Sequence, residues 1–330
     1  MASGPMRWLH AISQRISSEW NRYSRRNDRG VVLLFHEVHD DDADYKRNLR
    51  AGCSAPFLDA IVGHLVRDRW DIVPLDEALL RLERDDSSGR FAVLTFDDGY
   101  RNTMTRALPI LERYAAPFTV YIPTGAITRE LPSWWLGLRS VFQRHDTVTV
   151  PPIAKTYECR DTVAKTTACA EVRRWAHQDY RRLPALIEAL RAYDISLPAL
   201  NDASFMDEAE LRTLARHPLV TIGGHTESHP ALSLLAPAEA RQEIDGNRRY
   251  LERLLDRPVR HFAYPYGAPG AFGDREVALA ADIGFRAAVT AQSGSVSSGD
   301  RRIPYRMPRL ELSGSADHHV DSCLSALRAI

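Results

Sequence analysis

Phe91-Ala-Val-Leu-Thr-Phe-Asp-Asp-Gly-Tyr100 is the stretch whose reading decides the fold. A short run of apolar, β-branched and aromatic residues, ended by a turn signal, reads as a buried strand. Asp97 and Asp98 then stand side by side at the carboxyl end of that strand. Taken alone, Asp-Asp-Gly marks a turn. An apolar strand running straight into it raises the odds of function, because adjacent side chains at a strand end point in different directions.

Outward from this run the chain alternates. Further strands are expected at Val31–Phe35, Asp71–Leu75, Pro117–Ile122, Leu219–Gly223, His261–Tyr264, Arg286–Thr290 and Ile303–Leu310. Helical periodicity lies between them at Ala55–Asp68, Asp76–Arg84, Thr103–Ala115, Pro237–Leu255 and Arg275–Ile283. Such alternation predicts an α/β fold with a largely parallel sheet, and this number of strands suits a complete or incomplete barrel. Asp207 and Glu210 have capping-box spacing, Pro237 suits a first helical turn, and Gly284 stands where a C-cap glycine belongs. Residues 133–206 break the rhythm with Trp134-Trp135, Pro151-Pro152 and a long helical segment, Asp161–Tyr193. We read them as a mostly helical insertion on a barrel spanning 31–330, either flanking a substrate groove or serving only as a cap. Trp134-Trp135 would stack on a sugar ring or cover core.

Bulk properties narrow the function. Lys+Arg and Asp+Glu balance at 43 each, so no global field favours nucleic acid. The cysteines Cys53, Cys159, Cys169 and Cys323 form no C-x-x-C pair and read as buried thiols in a reducing compartment. No apolar run reaches the ~18 residues of a membrane span. The N-terminus lacks the apolar core of a secretory signal, which points to the cytoplasm. Residues 1–30 form a basic amphipathic segment. Within 7–26, Trp8, Leu9, Ile12, Ile16 and Trp20 fall at helical spacing, with Arg7, Arg15, Arg22, Arg25 and Arg26 around and after them. Such a helix either packs on the domain or lies in the inner face of a membrane as a peripheral contact.

A second chemical stretch is Gly223-Gly-His-Thr-Glu-Ser-His-Pro-Ala-Leu232, with His225 and His229 four apart. The flanking glycines and Pro230 argue for a loop, held by Thr226 and Ser228. Two imidazoles and one carboxylate are a common open set for a catalytic divalent metal. The remaining carboxylate is then free to act as a general base. His36, Asp97, Asp98, His225, Tyr266 and Arg309 all sit near the carboxyl ends of expected strands, the face on which α/β barrels assemble active sites.

Thr95–Tyr100, His225–His229, Phe262-Ala-Tyr-Pro-Tyr-Gly267, Phe35-His-Glu-Val38 and Met307-Pro-Arg309 together resemble the motifs of the polysaccharide deacetylases, carbohydrate esterase family 4, which include the nodulation-type chitooligosaccharide deacetylases. The resemblance runs from Val31 to Leu310. It implies a distorted (β/α) barrel of about seven strands and hydrolysis of an N-acetyl group on an amino sugar of a glycan, oligosaccharide or lipid-linked saccharide. It further implies Asp97 as base, Asp98, His225 and His229 as metal ligands, and the Tyr266 N–H as a donor to the oxyanion. Zinc is the expected ion for two imidazoles and one carboxylate. The chain departs from the family at two points. Ala263 stands where many members carry an arginine, and Arg309 is expected to replace it by pairing with Asp97. The C-terminal histidine acid of many members has no counterpart, so His36 is the candidate acid or substrate contact, ahead of His318 and His319. Alternatives on the same scaffold are removal of a formyl or O-acetyl group, or a catalytically impaired carbohydrate-binding protein.

Overall fold

The computed structural model describes residues 28–84, 89–297, 300, 304–316, 319–321 and 323–324. The expected amphipathic helix at 7–26 and the alternative acid His318 lie outside the described residues. The strands of the main sheet are β1 (Asp28–Phe35), β2 (Asp71–Ile72), β3 (Phe91–Phe96), β4 (Phe118–Ile122), β5 (Val220–Gly224), β6 (His261–Ala263), β7 (Ala287–Val289), β8 (Val296–Ser297) and β9 (Leu310–Glu311). Their order is β7-β6-β5-β4-β3-β1-β8, with β2 on β3 and β9 on β1. The pairings are parallel except that of β1 with β8.

The opening run is the middle of this sheet. It pairs with β1 from Gly30↔Phe91 to Phe35↔Phe96, and with β4 from Leu94↔Phe118 to Phe96↔Val120. Every residue of β3 is buried, which explains why the run shows no polar alternation. Parity still separates two faces. Ala92, Leu94 and Phe96 join Leu33, Phe35 and Phe118 in the larger core, against the outer helices Ala55–Arg67 and Pro237–Leu255. Val93 turns the other way and packs with Val32, Tyr121, Val289 and Met307, on which helix Leu75–Arg84 lays its apolar side. Asp97 continues the parity of Val93 and Thr95.

The sheet curls into a distorted barrel, and one short segment joins its ends. Met307 bridges Val289 of β7, donating to Ala288 O and accepting from the Thr290 N–H. Three residues on, Leu310 pairs with Leu33 of β1. This is a correction to the expected strand Ile303–Leu310. Pro304–Arg306 forms a 3₁₀ turn, only Leu310–Glu311 is strand, and Ile303 is outside the described residues. Pro304 and Pro308 lack the N–H donors a continuous ladder needs. The second strand is likewise shorter than Asp71–Leu75, since Leu75 already begins the following helix.

Residues 134–204 form a unit around their own apolar cluster, including Leu138, Phe142, Val148, Val172 and Leu186. The long helix expected over Asp161–Tyr193 is two helices, Thr162–Gln178 and Leu183–Arg191. Asp179 ends the first by accepting from the Arg181 N–H, and Pro184 starts the second. The unit also holds an antiparallel hairpin, Thr147–Val150 with Lys155–Glu158, which the helical reading did not include. Among the described residues no helix is long and apolar enough to cross a membrane.

Phe96 stacks on Phe35 at 5.2 Å and meets Phe118 edge-on at 5.6 Å. We predict that Phe96→Ala lowers unfolding free energy by about 3–5 kcal/mol in a urea titration. A loss under about 1 kcal/mol would show that β3 is not the packed centre.

Candidate metal centre and active site

The three barrel turns that carry chemistry share a backbone feature. Asp98 (φ +71°), Thr226 (φ +68°), His229 (φ +57°) and Tyr266 (φ +61°) all adopt the left-handed region, which side-chain-bearing residues avoid. Strain of this kind persists only where the surroundings over-determine it, and these four belong to the three motif turns. Next to Tyr266, Gly267 has φ +55°, and a Cβ there would lie 2.2 Å from the Ala291 nitrogen.

Asp98, His225 and His229 each bring a ligand atom within 4.8 Å of the others, and all three are buried. Both Nε2 atoms lie 3.5 Å from Asp98 Oδ1. His225 Nδ1 stands 2.7 Å from the Ala263 carbonyl oxygen, which can only accept, so Nδ1 carries a hydrogen and the neutral ring offers its lone pair at Nε2. Burial pushes His229 down to about 3, leaving it neutral at ordinary pH. Its ring is wedged between Trp135 at 5.0 Å and Tyr266 at 4.7 Å. Asp98 Oδ1 is buried with no hydrogen-bond partner among the described residues. Burial works to raise the Asp98 carboxyl, but His225, His229 and His36 outweigh it and hold it well below the carboxylate range. Burial also works against a charge on His225, yet Asp98 and Asp97 overcome it and raise its pKa. The spot attracts positive charge, and an orphaned carboxylate oxygen facing two imidazole nitrogens fits a divalent cation.

Asp97 has a different partner. Arg309 Nη1 donates to Asp97 Oδ1 at 2.8 Å and Nη2 to Oδ2 at 2.6 Å. The guanidinium also donates to the Thr290 carbonyl and to Thr95 Oγ1. Burial acts to raise the Asp97 carboxyl, but the charges of Arg309 and then His225 override it and keep it low. Asp97 Oδ2 lies 4.0 Å from His225 Nε2. A carboxylate held ionised beside a cation site is the arrangement a general base needs.

The remaining sequence candidates are placed as follows. His36 is one-third exposed on the wall of the same cavity, of about 370 Å³, with Nδ1 3.9 Å from Glu311 Oε1. Tyr266 packs on His229, and its hydroxyl accepts from Trp134 Nε1 at 3.0 Å. Trp134 and Trp135 both line this cavity, Trp134 nearly enclosed at 2 % exposure and Trp135 partly exposed. His319 packs near Tyr45 and accepts from the Ser315 N–H, away from that wall. Asp97, Asp98, His225, His229, Tyr266, Arg309 and His36 therefore line one cavity.

A family model described as "Polysaccharide deacetylase" matches residues 84–288. The chain belongs to the polysaccharide deacetylase family. The matched span holds Asp97, Asp98, His225, His229 and Tyr266, while His36 and Arg309 fall outside it. Solved structures agree in fold. The deacetylase PplD of Streptococcus pyogenes, in complex with acetate, superposes with a TM-score of 0.61 at 15% identity, covering 91% of this chain and 98% of that one. A de-N-acetylase from Aggregatibacter actinomycetemcomitans gives 0.57 at 17% identity over 91% and 100% of the two chains. IcaB from Ammonifex degensii gives 0.56 at 17% identity over 92% and 98%. No curated protein sequence matches the chain. The family assignment supports glycan deacetylation, a hydrolytic activity, on this barrel.

In this polysaccharide deacetylase the loop of the two histidines is set by residues the motifs do not contain. Asn247 Oδ1 accepts from the His225 N–H at 3.0 Å, and its Nδ2 donates to the Ile122 and Thr226 carbonyls. One turn earlier, Glu243 accepts from the Glu227 and Ser228 N–H groups. A sequence signal existed: Asn247 is a polar residue on the buried stripe Ala240, Ile244, Asn247, Leu251, Leu254. A Cβ at Gly224 would lie 2.6 Å from Asn247 Oδ1, so glycine is required there. We predict that Asn247→Ala weakens divalent-metal binding about 10–100-fold in competition with a chromophoric chelator. Unchanged affinity would mean that the loop holds its histidines without Asn247.

Proposed function

We propose that this deacetylase is a metal-dependent hydrolase that removes an N-acetyl group from an amino sugar of a glycan, oligosaccharide or lipid-linked saccharide. The observation that carries this reading is the unequal fate of two adjacent carboxylates. Asp98 faces the imidazole pair, while Asp97 is locked to Arg309. A binding protein has no use for a spare ionised base beside a metal site.

Asp98, His225 and His229 would hold the ion, with zinc favoured by the donor set. When bound, it supplies Lewis-acid polarisation of the amide carbonyl and lowers the pKa of water. Asp97 removes the proton from the attacking water, and Arg309 keeps the carboxylate available for that transfer. The carbonyl oxygen gathers negative charge as the new C–O bond forms. The Tyr266 N–H, which meets no backbone acceptor among the described residues, is the donor we assign to it. Two imidazoles on the cavity wall lie outside the ligand trio, and burial lowers His177 to about 4, so it has no proton to give near neutral pH and His36 is the one that remains. We assign it the protonation of the departing amine as the C–N bond breaks. Trp135, beside His229, screens the reacting centre from solvent.

Acetate release from N-acetylated oligosaccharides tests this reading. Chelator should abolish release and added zinc restore it, and Asp97→Asn should lower kcat by about 100-fold or more with zinc still bound. Activity surviving both chelator and the substitution would contradict the mechanism. Bound zinc with no release from any saccharide would contradict the hydrolytic assignment.

A further inference from the structure

The cavity wall carries four carboxylates and four guanidiniums, but they are not paired one to one. Its carboxylates are Glu37, Asp97, Asp98 and Glu311, and its guanidiniums are Arg50, Arg139, Arg173 and Arg309. Arg309 is engaged by Asp97. Arg139 is engaged by Glu37, with Nη2 donating to Oε1 at 2.9 Å. Asp98 faces the two imidazoles, and Glu311 lies near His36. Arg50 and Arg173 are left without a carboxylate partner among the described residues.

The two arginines come from different parts of the fold and line the same cavity. Arg173 is carried by the insertion helix Thr162–Gln178, and Arg50 by the loop after Asp42–Arg47. Both charges act on the hydroxyl of buried Tyr45, opposing the burial that pushes it up to about 12. The Arg50 loop is held in a costly conformation. Leu49 and Arg50 are consecutive non-glycine residues with φ +50° and +59°. The Arg50 N–H donates to Tyr45 O at 3.0 Å, and the Ala51 carbonyl bonds to His39 Nε2 at 2.8 Å. At Gly52 a Cβ would lie 2.3 Å from the Glu37 carbonyl oxygen, so the loop is pressed against the end of β1. Arg50 is therefore presented to the cleft by a fixed loop.

Resting on the deacetylase reading, we propose that Arg50 and Arg173 form an anion subsite that binds a phosphoryl or carboxylate group carried by the N-acetylated saccharide. Guanidinium forks match the planar oxygen pairs of these groups and bind them through charge-assisted hydrogen bonds. An anionic saccharide is thereby preferred over its neutral counterpart, with the acetamido group directed to the Asp97 side of the same cavity.

Calorimetry on the metal-loaded full chain tests this, with N-acetylglucosamine, its 1-phosphate and N-acetylmuramic acid as probes. The readout is the affinity ratio of each anionic probe to the neutral one, in the wild type and in Arg50→Gln/Arg173→Gln, after melting curves show both folded. The ratio should be about tenfold or more in the wild type and fall towards one in the double variant. Which anionic probe binds tighter distinguishes phosphoryl from carboxylate. Equal affinity for all three probes in the wild type overturns the subsite, as does a ratio that survives in the double variant. Acetate release, followed in parallel, separates the two readings: an arginine-dependent ratio without release from any probe or oligosaccharide keeps the subsite and removes the deacetylase activity.

Discussion

The buried pair between Asp97 and Arg309 is the interaction on which the rest of the site depends. Both side chains are almost fully enclosed, at 3 % and 1 % exposure. Desolvating two charges is expensive, and such a pair is tolerated only when its hydrogen bonds are complete. They are complete here, because two parallel bonds join the partners and the Thr290 carbonyl and Thr95 hydroxyl take the remaining guanidinium hydrogens on that side. Arg309 sits on the segment that bridges β7 to β1, between Met307 and Leu310. Barrel closure and ionisation of the base are thus one contact. Removing either partner would leave a buried charge alone, which explains how a segment with so little regular pairing is held in place.

Around that contact the division of labour follows from geometry. Strand parity turns Asp97 inward with Val93 and Thr95, whereas the left-handed backbone at Asp98 swings the next carboxylate toward the histidines. The helix Pro237–Leu255 acts as the template for those histidines through Asn247 and Glu243. The insertion supplies the outer wall, with Trp135 against His229 and Arg139 on Glu37. Trp134, by contrast, is consumed in bracing Tyr266.

Much of this was legible in the sequence because its causes are local. A fully buried strand must be apolar throughout, and the motifs stand where such strands end. The ligand trio and its neighbour Asp97 could be named from two short stretches. The pairing of Arg309 with Asp97 could be named only through the family's missing arginine at Ala263, since the two are more than two hundred residues apart in sequence. The closing segment was misread as a strand because its apolar residues suit one, while Pro304 and Pro308 forbid it. The hairpin Thr147–Val150/Lys155–Glu158 carried a visible alternation, buried only at Val148, Val150 and Tyr157. It was obscured by the helices on either side. Asn247 was marked by its place on an apolar stripe, but what it holds is fixed only by the meeting of that helix with the ends of β4 and β5.

The pH dependence of kcat/KM tests the central claim most directly, comparing the wild type with Arg309→Met and Arg309→Lys. Arg309 lowers the Asp97 carboxyl against the upward push of burial. Loss of the guanidinium leaves burial unopposed, so the base is protonated at higher pH. The account predicts that the acidic limb of the profile moves to higher pH in Arg309→Met, and less far in Arg309→Lys, which keeps a charge but not the fork. An acidic limb at the same pH in all three proteins would contradict it.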